Sequence, residues 1–179
     1  MSADERTILD AADVARAVTR MAAEILEANQ GADDLVLLGI PTRGVPLSAR
    51  LAEALAAQGA TVPVGELDIT MYRDDLRSRH TLTPIGRTRI PGSITDQVVV
   101  LVDDVLYSGR TVAAALDALN DLGRPRAVRL AVLVDRGHRE LPIRADFVGR
   151  ALDTRSSERV RVRLEESDGM THVTIGAAR

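Results

Sequence analysis

Two adjacent acids that follow an apolar run carry the clearest chemistry in this sequence. Residues 98–115 read VVVLVDDVLYSGRTVAAA, so five apolar residues end at Asp103 and Asp104. Small and polar residues at 107–111 then lead into a helical pattern. A turn from a strand into a helix N-terminus directs backbone N–H groups at one place, where an anion binds favourably. Carboxylates beside such a turn suit a sugar phosphate, whose hydroxyls need acceptors and whose charge is met by Mg²⁺.

The acid pair has three interpretations. It is a capped loop, because Asp is common at strand ends and helix starts, or a phosphoacceptor site in which paired acids hold Mg²⁺, or a phosphoribosyl site. In the last, the carboxylates accept the ribose 2′- and 3′-hydroxyls while loop N–H groups hold the 5′-phosphate. Phosphoacceptor domains also use a strand-end lysine, and the chain has none, since all 23 basic residues are arginine. The order of acids, small residues and helix fits the phosphoribosyl site well.

The elements that must position these acids alternate between strand and helix. The apolar patterns predict helices at 10–29, 45–58 and 111–122 and buried strands at 35–40, 62–71, 98–102 and 128–134. Weaker patterns predict a short strand at 146–149 and a closing antiparallel pair at 160–164 and 172–175. This order favours an α/β fold whose ligand lies beyond the carboxyl ends of the strands. The loops at 41–44, 103–111 and 135–139 would converge there.

Composition narrows the class of protein. A chain of 179 residues that is 45% hydrophobic is expected to form a single domain over 1–179. It has no Cys and no Lys, which excludes disulfides, thiolate catalysis, Schiff-base lysines and a Walker lysine. The net charge of −3 does not suggest bulk nucleic-acid binding. Without a signal-peptide pattern or an apolar run of membrane length, a cytoplasmic protein is expected, with no membrane partner.

Longer segments carry a family resemblance. VVVLVDDVLYSGRT resembles the phosphoribosyl pyrophosphate (PRPP) motif of the type I phosphoribosyltransferases. GIPTRG at 39–44, LDITMYRDDL at 67–76 and VLVDRGHRELPIRADFVGR at 132–150 resemble the PyrR family over nearly the whole chain. Members of that family regulate bacterial pyrimidine operons and also act as uracil phosphoribosyltransferases. The resemblance implies a type I phosphoribosyltransferase fold: a mainly parallel central sheet flanked by helices, with a lid or hairpin at about 73–94.

The resemblance also implies roles for the residues that match. The catalytic residues would be Asp103, Asp104 and Arg43, with Mg²⁺ arriving on PRPP rather than held directly by the protein. They would transfer phosphoribosyl to uracil, giving UMP and pyrophosphate. The residues expected to bind PRPP or the nucleotide are Thr42, Arg43, Arg73, Arg87, Asp103, Asp104, Val105, Leu106, Tyr107, Ser108, Gly109, Arg110, Thr111, Arg136 and Val160.

The second implied activity is binding of pyrimidine-operon mRNA in response to UMP or UTP, on a basic surface of a homodimer. The residues expected to bind RNA are Arg16, Thr19, Arg20, His138, Arg139, Arg144 and Arg150. The first helix departs from the family pattern, with Ala23, Ala28 and Gln30 where basic residues are common. The segment RALDTRSSERV after Gly149 is also divergent. Fewer phosphate contacts predict weaker RNA binding.

Two alternatives remain beside the dual function. The protein is an enzyme only, acting on uracil or another base, or a binding module that has lost catalysis. Orotate enzymes use lysines in the lid and purine enzymes use a lysine against the base, so the absence of Lys disfavours both. The acid pair argues against lost catalysis, although PRPP binding would require it too.

Overall fold

The computed structural model describes residues 5–73 and 87–178 as two packed sheets with flanking helices. In chain order the elements are β1 (Arg6–Leu9), α1 (Ala11–Asn29), β2 (Leu35–Gly39), α2 (Gly44–Ala57), β3 (Val64–Glu66), β4 (Val98–Leu106), α3 (Arg110–Leu122), β5 (Ala127–Asp135), β6 (Phe147–Ala151), β7 (Glu158–Arg163), α4 (Glu165–Asp168) and β8 (His172–Ala177). The order confirms the predicted α/β class.

The larger sheet is parallel throughout and has β4 at its centre. Its strands lie in the order β3-β2-β4-β5-β6. Successive side chains of β4 enter two cores on opposite faces of the sheet. Val98, Val100 and Val102 lie in the first core, and Val99 and Leu101 lie in the second. A strand covered on both faces reads as a continuous apolar run, which is why 98–102 is recognisable in the sequence.

The helix α1 confirms the prediction of an amphipathic helix with an acidic start. Asp10 is its N-cap, and Asp10 and Asp13 each accept the other's backbone N–H in a capping box. Its apolar face, which includes Val14, Met21 and Ile25, is buried in the first core. Helices predicted at 45–58 and 111–122 are confirmed as α2, which is displaced by one residue, and α3, which begins one residue earlier.

The smaller sheet packs on the same core as α1. It is antiparallel, in the order β1-β8-β7. The pair β7–β8 confirms the antiparallel pair predicted at the end of the chain. Val160, Val162 and Val173 face the first core, so the alternating Arg residues of β7 lie on the other face of the small sheet.

Three sequence predictions of strands need correction. β4 continues four residues past Val102, so Asp103 and Asp104 lie within the strand, and Asp103 pairs with Val132 of β5. The strand predicted at 62–71 is confined to Val64–Glu66. Asp68 ends it, because its carboxylate accepts hydrogen bonds from the backbone N–H and hydroxyl of Thr70 and starts a 3₁₀ turn. The short strand predicted at 146–149 is β6, at 147–151.

One strand was not predicted, and one predicted segment lies mostly outside the described residues. The strand β1 was not predicted, since four residues paired only with β8 carry too little pattern. The predicted lid at 73–94 falls largely on 74–86, which lie outside the described residues. On its far side, Arg89 pairs with Glu66 through two backbone hydrogen bonds, at 2.8 and 2.9 Å. In the described part of the chain no helix is long and apolar enough to cross a membrane.

The turn at 41–44 is held close to β4 by two glycines. An added Cβ at Gly39 would lie 2.5 Å from the Gly44 carbonyl oxygen, and one at Gly44 would overlap the Val102 carbonyl oxygen. Both contacts are with backbone, which cannot swing aside as a side chain does. The absence of Cβ atoms therefore sets how near the start of α2 comes to the end of β4.

We expect Gly44→Ala to lower the free energy of unfolding by about 3 kcal/mol, because the helix must move away from β4. Gly59→Ala is the matched control, since Gly59 has φ +86° and nothing within 4 Å of an added Cβ. That variant carries backbone strain alone, worth about 1 kcal/mol. Urea unfolding of both variants measures the difference. Equal losses would contradict a packing role for Gly44.

Candidate functional site

The acid pair lies where two cavities meet. One, of about 230 Å³, is lined by Arg73, Asp103 and residues 105–112, and is here called the phosphate cavity. The other, of about 400 Å³, is lined by Arg43, Asp104, Val105, residues 159–163 and Asp168, and is called the arginine cleft. Asp103 and Asp104 line different cavities because successive residues of a strand face opposite sides. Val105 lines both cavities and so marks where they join.

The phosphate cavity is closed by the loop 107–111 and the start of α3. Gly109 is the N-cap of α3 with φ +91°, and its N-cap supplies no side-chain hydrogen bond. The first N–H groups of a helix have no partner within the helix. In α3 these N–H groups belong to residues that line the cavity. The Arg110 N–H donates to the Ser108 hydroxyl at 3.3 Å. The arrangement suits a phosphate-sized anion.

The carbonyl groups of the same loop are held on its other side by residues 136–141. The Leu106 carbonyl accepts from the Arg136 backbone N–H at 3.1 Å, and the Ser108 carbonyl accepts from Glu140 at 2.9 Å. The Tyr107 carbonyl accepts from Nη1 of Arg139 at 2.9 Å. Three successive carbonyl oxygens, which would repel an anion, are thus bonded away from the cavity.

The arginine cleft is cationic because β7 carries Arg at alternate positions. Arg159, Arg161 and Arg163 lie on one side of that strand, and Arg43 faces them from the turn at 41–44. Arg161 pairs with Glu5, whereas Arg43 pairs with Asp168. Arginines arranged in this way can bind several phosphate oxygens at once. The cleft therefore fits a larger polyanion than the phosphate cavity does.

The two acids differ in electrostatic environment. Asp103 is only 7% exposed, while Asp104 is partly buried. Burial, followed by the charge of Asp104, raises the pKa of Asp103 well above its ordinary value, and Arg73 opposes this rise. Oδ1 of Asp103 accepts the Asp104 backbone N–H at 2.9 Å. A buried carboxylate is costly to keep charged unless opposite charge or hydrogen bonds offset its burial.

Of the two residues expected near the nucleotide, Val160 lines a cavity, whereas Arg136 is not among the described residues that line either one. Val160 lines the arginine cleft. Arg136 is 5% exposed, its guanidinium carbon lies 4.2 Å from the Tyr107 ring centroid, and its Nη2 donates to the Arg155 carbonyl at 3.2 Å. Arg136 therefore supports the loop 107–111 through a cation–π contact with Tyr107. Its Nε has no hydrogen-bond partner among the described residues.

The structure brings some expected residues together and leaves others apart. Arg43, Arg73, Asp103, Asp104, Val160 and residues 105–111 line the two cavities. Thr42 is exposed on the turn before Arg43, and Arg87 is exposed at the edge of the segment outside the described residues. Neither Thr42 nor Arg87 is among the described residues that line these two cavities.

The residues expected to bind RNA fall into two regions. Arg16, Thr19 and Arg20 lie along α1, and Nη2 of Arg20 donates to the carbonyls of Val148 and Gly149 at 3.2 and 2.5 Å. That contact joins α1 to β6, beside the exposed Arg150.

The second region is the segment 138–144, where side chains differ in accessibility. Arg144 is exposed, and Nε2 of His138 lies 2.6 Å from the Thr154 carbonyl. The guanidinium of Arg139 is occupied within the chain, since it also bonds the Ile143 carbonyl at 2.9 Å and pairs with Asp135.

Sequence reasoning missed Asp168 and the arginines of β7. The alternation RVRVR at 159–163 was visible and would have predicted three arginines on one side of a strand. Asp168 gave no such signal. It stands in an acidic run, and its partner Arg43 is 125 residues away.

We expect Asp103→Asn to raise the free energy of unfolding at pH 8 by about 1–3 kcal/mol. The pKa of Asp103 is raised in the folded state, so its ionisation costs stability once the pH exceeds the unfolded value of about 3.9. Below that pH both states are protonated and the gain disappears. Urea unfolding of the variant and the parent at pH 8 and pH 3.5 measures this.

The exposed Asp117→Asn serves as the control for that comparison, and it should leave stability unchanged at both values of pH. A gain for Asp103→Asn that were equal at the two values would contradict a buried charge at Asp103.

Comparison with known proteins places this geometry in a family. Residues 5–162 match the model of the phosphoribosyl transferase domain. A "Bifunctional protein PyrR" of Streptomyces coelicolor is 61% identical over 97% of this chain and 91% of its own. Proteins of the same name from Chloroflexus aurantiacus and Deinococcus deserti are both 57% identical, covering 96% and 98% of this chain and 95% and 96% of their own.

Solved structures confirm the fold. A hypoxanthine-guanine phosphoribosyltransferase from Bacillus anthracis superposes with a TM-score of 0.72 at 17% identity, covering 96% of this chain and 97% of its own. An HGPRT-ase from Leishmania tarentolae, in complex with GMP, gives 0.70 at 18% identity over the full length of both chains. The type I phosphoribosyltransferase fold expected from the sequence is therefore confirmed. With relatives of 57–61% identity over nearly its whole length, the chain belongs to the PyrR family of phosphoribosyltransferase-domain proteins.

Proposed function

We propose that the protein transfers phosphoribosyl from PRPP to uracil, giving UMP and pyrophosphate, and that it also binds pyrimidine-operon mRNA in response to UMP or UTP. The observation that carries the enzymatic half is the position of the acid pair between two anion-binding cavities. PRPP has a ribose between a phosphate and a pyrophosphate. The whole chain, 1–179, would act as one phosphoribosyltransferase-like domain in the cytoplasm, where these substrates occur.

The ligand would occupy both cavities at once. Its 5′-phosphate would lie against the loop 107–111 and the start of α3, with Arg73 nearby. Its ribose hydroxyls would bond Asp103 and Asp104, and its pyrophosphate would lie in the arginine cleft at Thr42 and Arg43. Uracil would reach C1′ beside Val160, and Arg87 would approach with the lid segment.

The reaction exchanges one bond for another at C1′. The bond to the pyrophosphate oxygen breaks as the bond to uracil N1 forms, and the N1 proton would leave on the released pyrophosphate. Positive charge develops on the ribose and negative charge on the leaving pyrophosphate. Asp104 would stabilise the first and Arg43 the second. No covalent intermediate is required of the protein.

The residues present fit a magnesium ion that arrives with PRPP. The described part of the chain has no group of three or more metal-ligating side chains. Mg²⁺ characteristically binds one or two carboxylates together with substrate phosphates and water. The ion would be held by the phosphates of PRPP, and Asp103 and Asp104, which bond the ribose, would lie beside it without having to bind it directly. The ion would neutralise charge on the pyrophosphate.

The regulatory half is supported by the surface that joins α1 to β6. Arg16, Thr19 and Arg20 border a shallow groove of about 460 Å³ at the α1–α2 contact. Arg20, on the edge of this groove, bonds the carbonyls of Val148 and Gly149, the two residues that precede Arg150 in β6. We propose that RNA phosphates lie along this surface, in a homodimer that presents two copies of it.

An enzyme without RNA control is the alternative, and one observation favours it. Several of the expected RNA-binding arginines already have carboxylate partners in the chain. Arg16 pairs with Asp13, Arg20 with Glu24 and Arg139 with Asp135. Each such pair lowers the positive potential that a phosphate would meet. RNA binding is therefore expected to be weak.

We expect Asp104→Asn to reduce UMP formation from uracil and PRPP by about 10²–10³-fold, because the developing ribosyl cation loses its neighbouring carboxylate. A spectrophotometric or radiochemical assay with Mg²⁺ measures the rate. Asp117→Asn on the exposed side of α3 is the control and should keep the parent rate. Parent protein that formed no UMP would refute the enzymatic proposal, and an unchanged rate in Asp104→Asn would refute the role of Asp104.

We expect Arg150→Ala to weaken binding of the protein's own pyrimidine-operon leader RNA by about 3–10-fold and to lower the salt dependence by about one ion. Titrations with and without UMP at two salt concentrations measure both quantities. Arg126→Ala is the matched control, since Arg126 is an exposed arginine paired with Asp34 just before β5. Failure of the UMP-loaded parent to bind this RNA would leave the enzyme-only alternative.

A further inference from the structure

Asp168 holds the guanidinium of Arg43 in a two-point contact from across the cleft. Oδ2 of Asp168 accepts from Nε of Arg43 at 3.0 Å, and Oδ1 accepts from Nη2 at 2.7 Å. We infer that Asp168 is a positioning residue that sets Arg43 for the pyrophosphate part of the ligand. This inference rests on the proposed phosphoribosyl transfer and adds a residue to it from the β7–β8 turn.

The carboxylate of Asp168 is itself fixed before any ligand binds. Its Oδ2 also accepts the Leu164 backbone N–H at 2.9 Å, and its own N–H donates to the Leu164 carbonyl at 2.7 Å. The Asp168 side chain is only 16% exposed. A carboxylate held by its own turn can impose one orientation on a long, flexible arginine.

The contact leaves donors of Arg43 available for a ligand. An arginine has five N–H groups, and Asp168 takes the Nε–H and one Nη2–H. Among the described residues, nothing else accepts the two Nη1 hydrogens or the second Nη2 hydrogen, which suit phosphate oxygens. Asp168 therefore does not have to leave when an anion binds. The cationic side chains of Arg159 and Arg163 offset the negative charge that Asp168 brings to the cleft.

Asp168 also competes with Asp104 for the same guanidinium. Both line the arginine cleft, and both act on the charge of Arg43, with Asp168 the stronger of the two. Without Asp168, Arg43 would be attracted mainly to Asp104, across the place where the two cavities meet. Pairing with Asp168 keeps Arg43 on the pyrophosphate side and leaves Asp104 for the ribose.

A second ion pair on the same turn supplies a matched control. Nε and Nη2 of Arg50 donate to the two carboxylate oxygens of Glu166, both at 2.7 Å. This contact also joins the β7–β8 turn to α2, but neither Arg50 nor Glu166 lines the two cavities. Removing Glu166 thus weakens the attachment of the turn without releasing Arg43.

The test compares Asp168→Ala, Asp168→Asn and Glu166→Ala by calorimetric titration with two probes, pyrophosphate with Mg²⁺ and ribose 5-phosphate. We expect Asp168→Ala to weaken pyrophosphate binding about tenfold and to leave ribose 5-phosphate binding within twofold. Asp168→Asn keeps an acceptor for the Leu164 N–H and should weaken pyrophosphate binding less. Glu166→Ala should leave the affinity for both probes unchanged. Thermal unfolding checks that each variant is folded. If Asp168→Ala does not fold, the pyrophosphate affinity of Asp168→Asn decides the test.

Two results would overturn the inference while the proposed function stands. One is normal pyrophosphate binding by both Asp168 variants, and the other is an equal loss of pyrophosphate binding in Glu166→Ala. A parent protein that binds neither probe would overturn the proposed function, and the inference with it.

Discussion

Two adjacent carboxylates lie at the end of the central strand, and the groups around them must offset the cost of burying that charge. β4 is covered on both faces, so Asp103, which continues the strand, is almost buried beside a second acid. Burial of a carboxylate costs free energy unless opposite charge or hydrogen bonds offset it. Arg73 acts on Asp103 and Arg43 acts on Asp104. The folded protein thus carries arginines on both sides of the acid pair, where they also suit anionic ligand groups.

The alternation of a strand divides the site into two halves. Since Asp103 and Asp104 face opposite sides, each cavity receives one member of the acid pair and one set of anion-binding groups. Backbone N–H groups at the start of α3 serve one half, and side-chain guanidinium groups serve the other. The N–H groups are fixed by helix geometry, which suits a small phosphate. The guanidinium groups reach further, which suits a pyrophosphate that must leave.

The sequence predicted those parts whose pattern is local. The buried strands, α1 with its acidic cap, and the motif at 103–111 follow from periodicity and from residue type over a few positions. The end of β3 was missed because a single side chain, Asp68, turns the chain there against its apolar pattern. The pair between Arg43 and Asp168 was missed because the partners are brought together only when the small sheet packs on the large one. Local pattern carries no information on such a contact.

Arg139 shows how closely the two proposed activities share one framework. It was expected on the RNA surface, but its guanidinium bonds the Tyr107 carbonyl and the Asp135 carboxylate. Tyr107 belongs to the loop that closes the phosphate cavity. Replacement of Arg139 would therefore release a carbonyl toward the nucleotide site as well as remove a charge near the RNA. Since RNA binding is proposed to depend on bound UMP, a loss of RNA affinity in such a variant would reflect either change. Arg150, which is exposed on β6, separates the two effects because it lines neither the phosphate cavity nor the arginine cleft.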